Sequence, residues 1–301
     1  MQKDLVAKIE SLKKEKKVVI LAHNYQRGEV QDIADFVGDS IDLSRKAATT
    51  SAEIILFCGV LFMAEAAKIL SPGKVVLLPD LKAGCPLANM ITLKELRQKK
   101  KEYPGAVVVC YVNSAVEIKA ESDICCTSAN AVKVVESIPQ DKEIIFIPDK
   151  WLGDYTSRIA KRRLILWDGY CATHLKILPE NILLLKERYP KAEIIVHPEC
   201  TRDVIEMADQ ALSTMGIVKW VKESKATEFI IGTENGIIHR LKKENPEKRF
   251  FPASVLAECP NMKLTTLEKV LWALEEMKYQ IEIEEDIRLK AKKAVERMLE
   301  I

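Results

Sequence analysis

The feature that most constrains the fold of this chain is a repeat with a period near 87 residues. Three apolar strand patterns, VVILAH, VVVCYVN and EIIVHPE, carry His23, Tyr111 and His197 near their ends, 88 and 86 residues apart. Each pattern is followed by a weaker strand that ends in a serine, and later by a loop with a cysteine. The serines are Ser40, Ser128 and Ser213, and the cysteines are Cys85, Cys171 and Cys259. Such independent markers in one order indicate three copies of one unit.

Within each copy, short apolar runs alternate with helical patterns, which is typical of βαβ units and parallel sheets. We therefore predict an α/β fold of three homologous three-layer αβα sandwich domains, each with a roughly four-stranded parallel sheet. The predicted units span residues 1–84, 85–170 and 171–258. Residues 259–301 add the third cysteine and the final helices, which we expect to pack back on the first unit. Capping boxes are predicted at Thr92 with Glu95 and at Thr265 with Glu268.

Composition and charge exclude several classes of protein. A net charge of +2 with 6% aromatic residues provides neither the basic field nor the stacking surfaces of a nucleic-acid-binding protein. The charged start lacks the apolar segment of a secretory signal, and no apolar run approaches the roughly 20 residues that span a bilayer. We expect a cytoplasmic protein with no membrane or nucleic-acid partner. In that compartment its eight cysteines predict free thiols or metal ligands rather than disulfides.

Chemically capable residues follow the predicted strands at the point where each strand ends. Ligands bind beyond the carboxyl ends of parallel strands, so three units facing a pseudo-threefold axis would bring these ends to one cavity. The candidates are His23, Tyr25, Tyr111, Asn113, His197 and Glu199 after the first strands, and Ser40, Ser128, Ser213 and Thr214 after the second. A serine before a helix is commonly only its N-cap. His174 either supports a metal ligand or contacts the substrate.

Three of the cysteines differ in context from the others. Cys85, Cys171 and Cys259 lie in loops with Gly or Pro neighbours. Four others, Cys58, Cys110, Cys125 and Cys126, lie inside apolar strand runs and fit the pattern of buried apolar side chains, and Cys200, next to Glu199, is interpreted as structural. There is no Cys-x-x-Cys pair, so any metal site must be assembled from distant segments. Three thiolates near one axis suit zinc or a [4Fe–4S] cluster with one non-cysteine iron, and the residues alone do not choose between them.

Eight sequence motifs occur in a fixed order from about Leu21 to Leu267. They are AHNYQ, DIADFVGDS, PD-x-x-A-x-CP, YVNS, TSANAV, HPEC, IIGTE-x-G and C-x-NMK-x-x-TL. With this combination the chain resembles the quinolinate synthase family in its compact three-cysteine form. It departs from the family pattern at Met215 and Gly216, after Thr214, and at Ala172, after Cys171. Both departures affect local loop shape and remove no proposed ligand.

The resemblance implies three αβα domains about a pseudo-threefold axis and a [4Fe–4S] cluster bound by Cys85, Cys171 and Cys259. It also implies a reaction in which iminosuccinate condenses with dihydroxyacetone phosphate, yielding quinolinate, inorganic phosphate and two waters for NAD biosynthesis. Iminosuccinate is labile, so an aspartate oxidase or an aspartate dehydrogenase is the implied functional partner.

A hypothesis for the mechanism follows from the resemblance and the repeat. Glu199 is expected to act as a general acid or base and Tyr25 as a proton relay, with Tyr111 also placed for proton transfer. His23 and His197 are expected to orient substrate anions. The expected anion-binding donors are Asn113, Ser40, Ser128, Ser213 and Thr214. Two alternatives stay open: an aconitase-type hydro-lyase, which needs no phosphate site, and an iron–sulfur redox sensor, which needs a docking face.

Overall fold

Each copy of the repeat forms one four-stranded sheet in which every strand is parallel to its neighbours. The computed structural model describes residues 2–301. In the first unit the strands are β1 (Val18–His23), β2 (Phe36–Gly38), β3 (Ile54–Cys58) and β4 (Val75–Leu77). The helices are α1 (Gln2–Glu15), α2 (Gly28–Asp32), α3 (Ser40–Thr49) and α4 (Leu61–Leu70). The sheet order is β2-β1-β3-β4.

The second and third units repeat this order. The second contains α5 (Leu93–Glu102), β5 (Val107–Tyr111), α6 (Val116–Ala120), β6 (Ile124–Cys126), α7 (Ala131–Ser137), β7 (Ile144–Ile147), α8 (Lys150–Ile159) and β8 (Ile165–Leu166). The third contains α9 (Pro179–Arg188), β9 (Glu193–Val196), α10 (Arg202–Glu206), β10 (Gln210–Ala211), α11 (Thr214–Glu223), β11 (Glu228–Gly232), α12 (Ile237–Glu244) and β12 (Arg249–Pro252). The orders β6-β5-β7-β8 and β10-β9-β11-β12 match the first sheet. The predicted fold class is confirmed.

A hydrogen bond that the sequence analysis missed also repeats three times. A carboxylate just before the second strand of each sheet accepts the backbone N–H of a residue in the first strand. The pairs are Asp35 with Ile20, Asp123 with Val108 and Asp209 with Ile194, each at 2.8 Å. The acids lie 88 and 86 residues apart. This contact fixes where the chain enters the second strand, because an unsatisfied buried N–H group would be costly.

The three units share one hydrophobic core. Its largest cluster includes Leu21, Val109 and Ile195, which occupy the same place in the first strand of each sheet. These strands are runs of β-branched and aliphatic residues because helices or neighbouring units cover both faces of the sheets. Where one unit ends and the next begins stays a prediction, since this core runs through all three.

The final helices α13 (Leu267–Glu276) and α14 (Glu285–Leu299) connect units rather than form a fourth one. Helix α13 packs on α1 and β3 of the first unit. Helix α14 contacts α4 of the first unit but also α6 and β6 of the second, where Asn130 donates to the Met298 carbonyl. The two final helices therefore do not both pack on the first unit alone. The apolar residues of α14 pack in the groove between the first and second units.

One of the two predicted capping boxes is confirmed. Thr92 and Glu95 satisfy each other's backbone N–H groups at the start of α5. The prediction at Thr265 is wrong, because the next residue, Thr266, is the N-cap of α13 and accepts from the Lys269 N–H. Among residues 2–301, no helix combines the length and apolar character needed to cross a membrane.

Candidate active site

The carboxyl ends of the strands in the three sheets border one cavity of about 660 Å³, a volume that includes its opening to solvent. It is lined by His23, Tyr25, Ser40, Tyr111, Asn113, Ser128, His174, His197, Glu199, Thr214 and the three loop cysteines. All of these were candidates from the sequence. Ser213 is the one candidate that is not among the lining residues. The wall also contains Asp39, Thr127, Thr173 and Glu234, which the sequence analysis did not single out.

His23 and His197 occupy equivalent positions and make the same backbone contact. The Nδ1 atom of His23 accepts the Tyr25 N–H at 3.2 Å, and Nδ1 of His197 accepts the Glu199 N–H at 3.3 Å. Burial lowers the pKa of each imidazole to about 3, against the opposing charge of Glu199. Both rings are therefore neutral, with the proton on Nε2. His23 thus has an uncharged N–H donor available to the cavity, whereas the N–H of His197 meets Ser128.

Glu199 and His174 form a buried pair on two different loops of the third unit. The Nδ1 atom of His174 lies 2.8 Å from Oε2 of Glu199, and the two side chains are 1% and 4% exposed. Burial acts to raise the pKa of Glu199, but the charge and N–H of His174 lower it below its usual range. A hydrogen bond from Tyr111 acts in the same direction. Glu199 is thus a carboxylate with donors around it.

The pair extends through a third residue to Tyr25. The Nε2 atom of His174 lies 2.9 Å from Oγ1 of Thr233, and Oγ1 lies 2.5 Å from the Tyr25 hydroxyl. Burial and the charge of Glu199 raise the pKa of Tyr25. Thr233 was missed as a functional residue, although it lies within the IIGTE-x-G motif that carried the resemblance. Glu199, His174, Thr233 and Tyr25 form a continuous series of polar contacts, an ion-pair contact followed by two hydrogen bonds, which we call the Glu199–Tyr25 chain.

The three serines have different roles in local structure. Ser213 is the N-cap of α11 and accepts the Gly216 N–H at 3.2 Å. Ser128 does not cap a helix, and its hydroxyl lies 3.0 Å from Nε2 of His197. Ser40 is the first residue of α3, because Asp39 is the N-cap there and accepts two backbone N–H groups. The capping interpretation therefore holds for only one of the three serines.

Two further polar candidates, Thr214 and Asn113, each form a hydrogen bond with a residue of a neighbouring unit. Asn24 donates to Oγ1 of Thr214 at 3.0 Å, across the boundary between the first and third units. Asn113 of the second unit donates to Oε1 of Glu199 at 3.4 Å. The Oδ1 atom of Asn113 is buried and has no protein partner among residues 2–301. These contacts leave the Thr214 proton and the Asn113 oxygen free to meet a bound molecule.

The three loop cysteines enter the cavity in equivalent ways. Each precedes a short 3₁₀ turn, at Leu87–Met90, His174–Lys176 or Met262–Leu264. In each case the backbone N–H three residues after the cysteine faces its sulfur and favours the thiolate. Burial nevertheless raises the pKa of all three, to about 12 for Cys85. The charge of Cys259 raises the pKa of Cys85 further, and the charge of Cys85 raises the pKa of Cys171 further.

Three neighbouring thiols with aligned N–H donors fit a metal site. A bound cation would compensate the charge that burial and mutual repulsion oppose, and soft thiolates suit zinc, iron or iron–sulfur groups. No fourth cysteine lines the cavity among the described residues. Donor atoms of Cys171, His174 and Glu199 also lie within 4.8 Å of one another. A four-iron cluster held by these three cysteines would therefore have one iron without a cysteine ligand.

The other cysteines lie away from the cavity. Cys58, Cys110, Cys125, Cys126 and Cys200 are buried. The first four belong to strands β3, β5 and β6, and Cys200 follows β9. No two of the eight cysteines, all of which lie within residues 2–301, are joined by a disulfide.

The chain is similar along almost its whole length to one family of known proteins. The family described as "Quinolinate synthetase A protein" matches residues 7–300. A "Quinolinate synthase" of Dehalococcoides mccartyi strain CBDB1 is 55% identical over 302 residues, with full coverage of both chains. A protein of the same name from Desulforudis audaxviator is 54% identical, covering 98% of each chain. Another from Methanosarcina barkeri is 50% identical, covering all of this chain and 98% of its own. The chain belongs to the quinolinate synthetase A family.

Proposed function

We propose that this protein is a quinolinate synthase of NAD biosynthesis. It condenses iminosuccinate with dihydroxyacetone phosphate and releases quinolinate, inorganic phosphate and two waters. The observation that carries this proposal is that one cavity holds three cysteines from distant segments of the chain together with the Glu199–Tyr25 chain. Relatives covering the whole chain at 50–55% identity carry this name.

The proposed cofactor is a [4Fe–4S] cluster held by Cys85, Cys171 and Cys259. Such a cluster supplies an iron with an open position, a Lewis acid toward a substrate carboxylate, amine or hydroxyl. The N–H groups at the 3₁₀ turns support thiolates at these positions, and polar residues line the same cavity. A three-cysteine set is consistent with zinc as well, so the test below measures sulfide.

Neutral donors in the cavity suit substrates that carry a phosphate and two carboxylates. His23 offers its Nε2–H, and Ser128 keeps its own proton because it accepts from His197. Thr214 keeps its proton in the same way, since it accepts from Asn24. The amino terminus of α3, with Ser40 at its first turn, adds a favourable helix dipole. These neutral donors bind anions without a buried positive charge. A buried positive charge would also bind the anionic product tightly.

The Glu199–Tyr25 chain supports the proton transfers that imine formation and two dehydrations require. When the Tyr25 hydroxyl accepts or releases a proton, a compensating proton passes through Thr233 Oγ1 to or from His174 Nε2. Nδ1 of His174 keeps its proton beside Oε2 of Glu199, 2.8 Å away. The carboxylate is accordingly the charge that stabilises a protonated His174, and Tyr25 is the group that reaches the substrate. Burial of the whole chain excludes water from these transfers.

Supply of the first substrate belongs to the proposal. Iminosuccinate hydrolyses readily, so a reaction that oxidises the amine of aspartate must supply it. An aspartate oxidase or an aspartate dehydrogenase has that chemistry.

Anaerobic purification with iron and sulfide quantitation, followed by a quinolinate assay, tests the function. We expect about four irons and four sulfides per chain, and quinolinate formation that requires both substrates. A protein that carries zinc without sulfide would reject the cluster. A loaded protein that makes no quinolinate, or that dehydrates a hydroxy acid without a triose phosphate, would reject the reaction.

A further inference from the structure

A buried carboxylate in the cavity wall contacts the backbone of a proposed metal ligand. Glu234 is 0% exposed. Its Oε1 accepts the Cys259 N–H at 3.0 Å, and its Oε2 accepts the Gly236 N–H at 2.7 Å. The contact fixes the loop that carries the third cysteine to the end of β11. The proposed proton relay does not use Glu234.

Glu234 is paired with a lysine that reaches the first unit. The Nζ atom of Lys263 lies 2.8 Å from Oε1 of Glu234, and the lysine side chain is only 10% exposed. The same Nζ donates to the backbone carbonyl of Tyr25. Lys263 lies four residues after Cys259, so one ion pair joins the backbones of Cys259 and Tyr25.

The approach of these groups depends on Gly236. A Cβ atom at this position would lie 2.6 Å from the Tyr25 carbonyl oxygen and 2.7 Å from Nζ of Lys263. Any other residue would therefore separate the lysine from the carbonyl. The glycine opens the space in which the third unit reaches Tyr25.

The repeat shows that this arrangement is specific to the third unit. The sheet registers align Leu56, Ile145 and Ile230, so the residues four positions later are equivalent. Those residues are Val60, Asp149 and Glu234. Four residues after each loop cysteine the chain has Asn89, Leu175 and Lys263. A carboxylate and a lysine occur together only in the third unit, beside the unit that contributes Tyr25.

We propose that Glu234 is a positioning residue that, through Lys263, holds Cys259 and Tyr25 in a fixed spatial relation. The inference rests on the proposed function, which makes Cys259 a cluster ligand and Tyr25 the outer member of the proton relay. The two oxygens of Glu234 accept from three donors: the Cys259 N–H, the Gly236 N–H and the Lys263 ammonium. An amide has one acceptor oxygen, so a glutamine leaves at least one of these donors without a partner.

The test compares Glu234→Gln with Asp209→Asn in the reconstituted protein. Asp209 is a matched control because its carboxylate also accepts a backbone N–H in the third unit, at the start of β10 rather than at the cavity. The readouts are the rate of iron loss to an excess of chelator, the electron paramagnetic resonance spectrum of the reduced protein, and kcat with KM. For Glu234→Gln we expect iron loss about 10- to 100-fold faster, the range found for residues that orient metal ligands, with an altered spectrum. Asp209→Asn should match the wild type in both.

Lys263→Met provides a second measurement that remains informative if Glu234→Gln does not fold. It removes the bridge to Tyr25 but keeps the Glu234 contact with Cys259. We expect a spectrum close to that of the wild type and a kcat about tenfold lower with KM unchanged, because Tyr25 loses its anchor.

Three results would overturn the inference: wild-type iron retention, spectrum and turnover in Glu234→Gln; the same acceleration of iron loss in Asp209→Asn; or unchanged turnover in Lys263→Met. The iron-release assay needs no substrate. A wild-type protein that loads iron and sulfide but makes no quinolinate would therefore contradict the proposed reaction. The positioning role of Glu234 would still be tested separately by the iron-release assay.

Discussion

The Nδ1 atom of His174 lies 2.8 Å from Oε2 of Glu199, and this contact links the loop after the second loop cysteine to the end of strand β9. The other side of the imidazole meets Thr233, which in turn contacts Tyr25. Four side chains from three loops of the third unit and one loop of the first thus share a single path of polar contacts.

Replacing Glu199 by glutamine should lower kcat by about 10²- to 10⁴-fold, because a positioned acid–base group contributes that much. The amide cannot stabilise a protonated His174, whereas the cysteines are untouched. Iron content and cluster absorbance should therefore remain at the wild-type level. Glu206→Gln, on the exposed face of α10, is the matched control and should retain full activity. Near-normal turnover in Glu199→Gln would remove this residue from the mechanism.

Replacing Thr233 by valine should interrupt the path between His174 and Tyr25 with little change in side-chain volume. We expect kcat to fall by about 100-fold, the lower end of an acid–base contribution, with iron content preserved. Thr156→Val is the control, since Thr156 is also fully buried but its hydroxyl has no partner among the described residues. Equal losses in both variants would show that valine acts through packing rather than through the path.

Removal of any one of the three loop cysteines should abolish iron loading. Cys85→Ala, Cys171→Ala and Cys259→Ala each leave two thiolates, too few to hold a cluster that already has an open position. Cys58→Ala is the control, because Cys58 is buried within β3 and does not line the cavity. Iron and sulfide analysis after anaerobic reconstitution gives the answer. Full loading in one of the three variants would exclude that cysteine as a ligand.

Two equivalent serines should give different phenotypes. Ser213→Ala removes the N-cap of α11, so the free energy of unfolding should fall by about 1 kcal/mol with KM unchanged. Ser128→Ala removes a hydroxyl from the cavity, and we expect KM for dihydroxyacetone phosphate to rise about tenfold, as the loss of one hydrogen bond of about 1.4 kcal/mol predicts. Denaturant titration and steady-state kinetics on both variants separate the roles. Identical effects would contradict the assignment.

The stability of the protein should depend on pH through Asp39. Burial, together with the charge of Asp42, raises the pKa of Asp39 from 3.8 to about 6. On raising the pH, the unfolded carboxyl loses its proton first, so Asp39 makes the folded state less stable between about pH 4 and pH 6. Asp39→Asn keeps the cap of α3 without this charge. The unfolding free energy of the variant relative to wild type should therefore rise by up to about 3 kcal/mol across that window.

Chemical denaturation at pH 4, 5 and 6 measures this difference directly. Asp42→Asn is the comparison, because it removes a neighbouring charge without removing the cap. A constant difference between wild type and Asp39→Asn from pH 4 to pH 6 would contradict the raised pKa.

The architecture could be predicted from the sequence because its signals are local and occur three times. The periodic strands, the serines and the cysteines mark equivalent points of three units, and Leu21, Val109 and Ile195 occupy one position of a shared core. A hydrophobic run specifies a buried parallel strand wherever it occurs. Repetition turned weak local signals into a strong one. The motifs that carried the resemblance supplied the rest of the expected chemistry.

Contacts between units could not be predicted in this way. Nothing in the local pattern shows that Thr233 meets Tyr25, that Lys263 reaches the Tyr25 carbonyl, or that α14 bridges the first two units. The same limit applies to Ser40, which is the first residue of its helix, and to Ser128, which precedes one. Neither caps a helix as Ser213 does.

The sequence by itself determined the repeated α/β unit, the order of its elements and the residue types at the strand ends. Only the tertiary structure decided which of those residues contact one another, which nitrogen of His23 and His197 carries the proton, and which carboxylates are buried. The physical reason is that secondary structure follows from the spacing of apolar residues along a few turns. Hydrogen-bond partners and burial depend on how three separately specified units pack around one cavity.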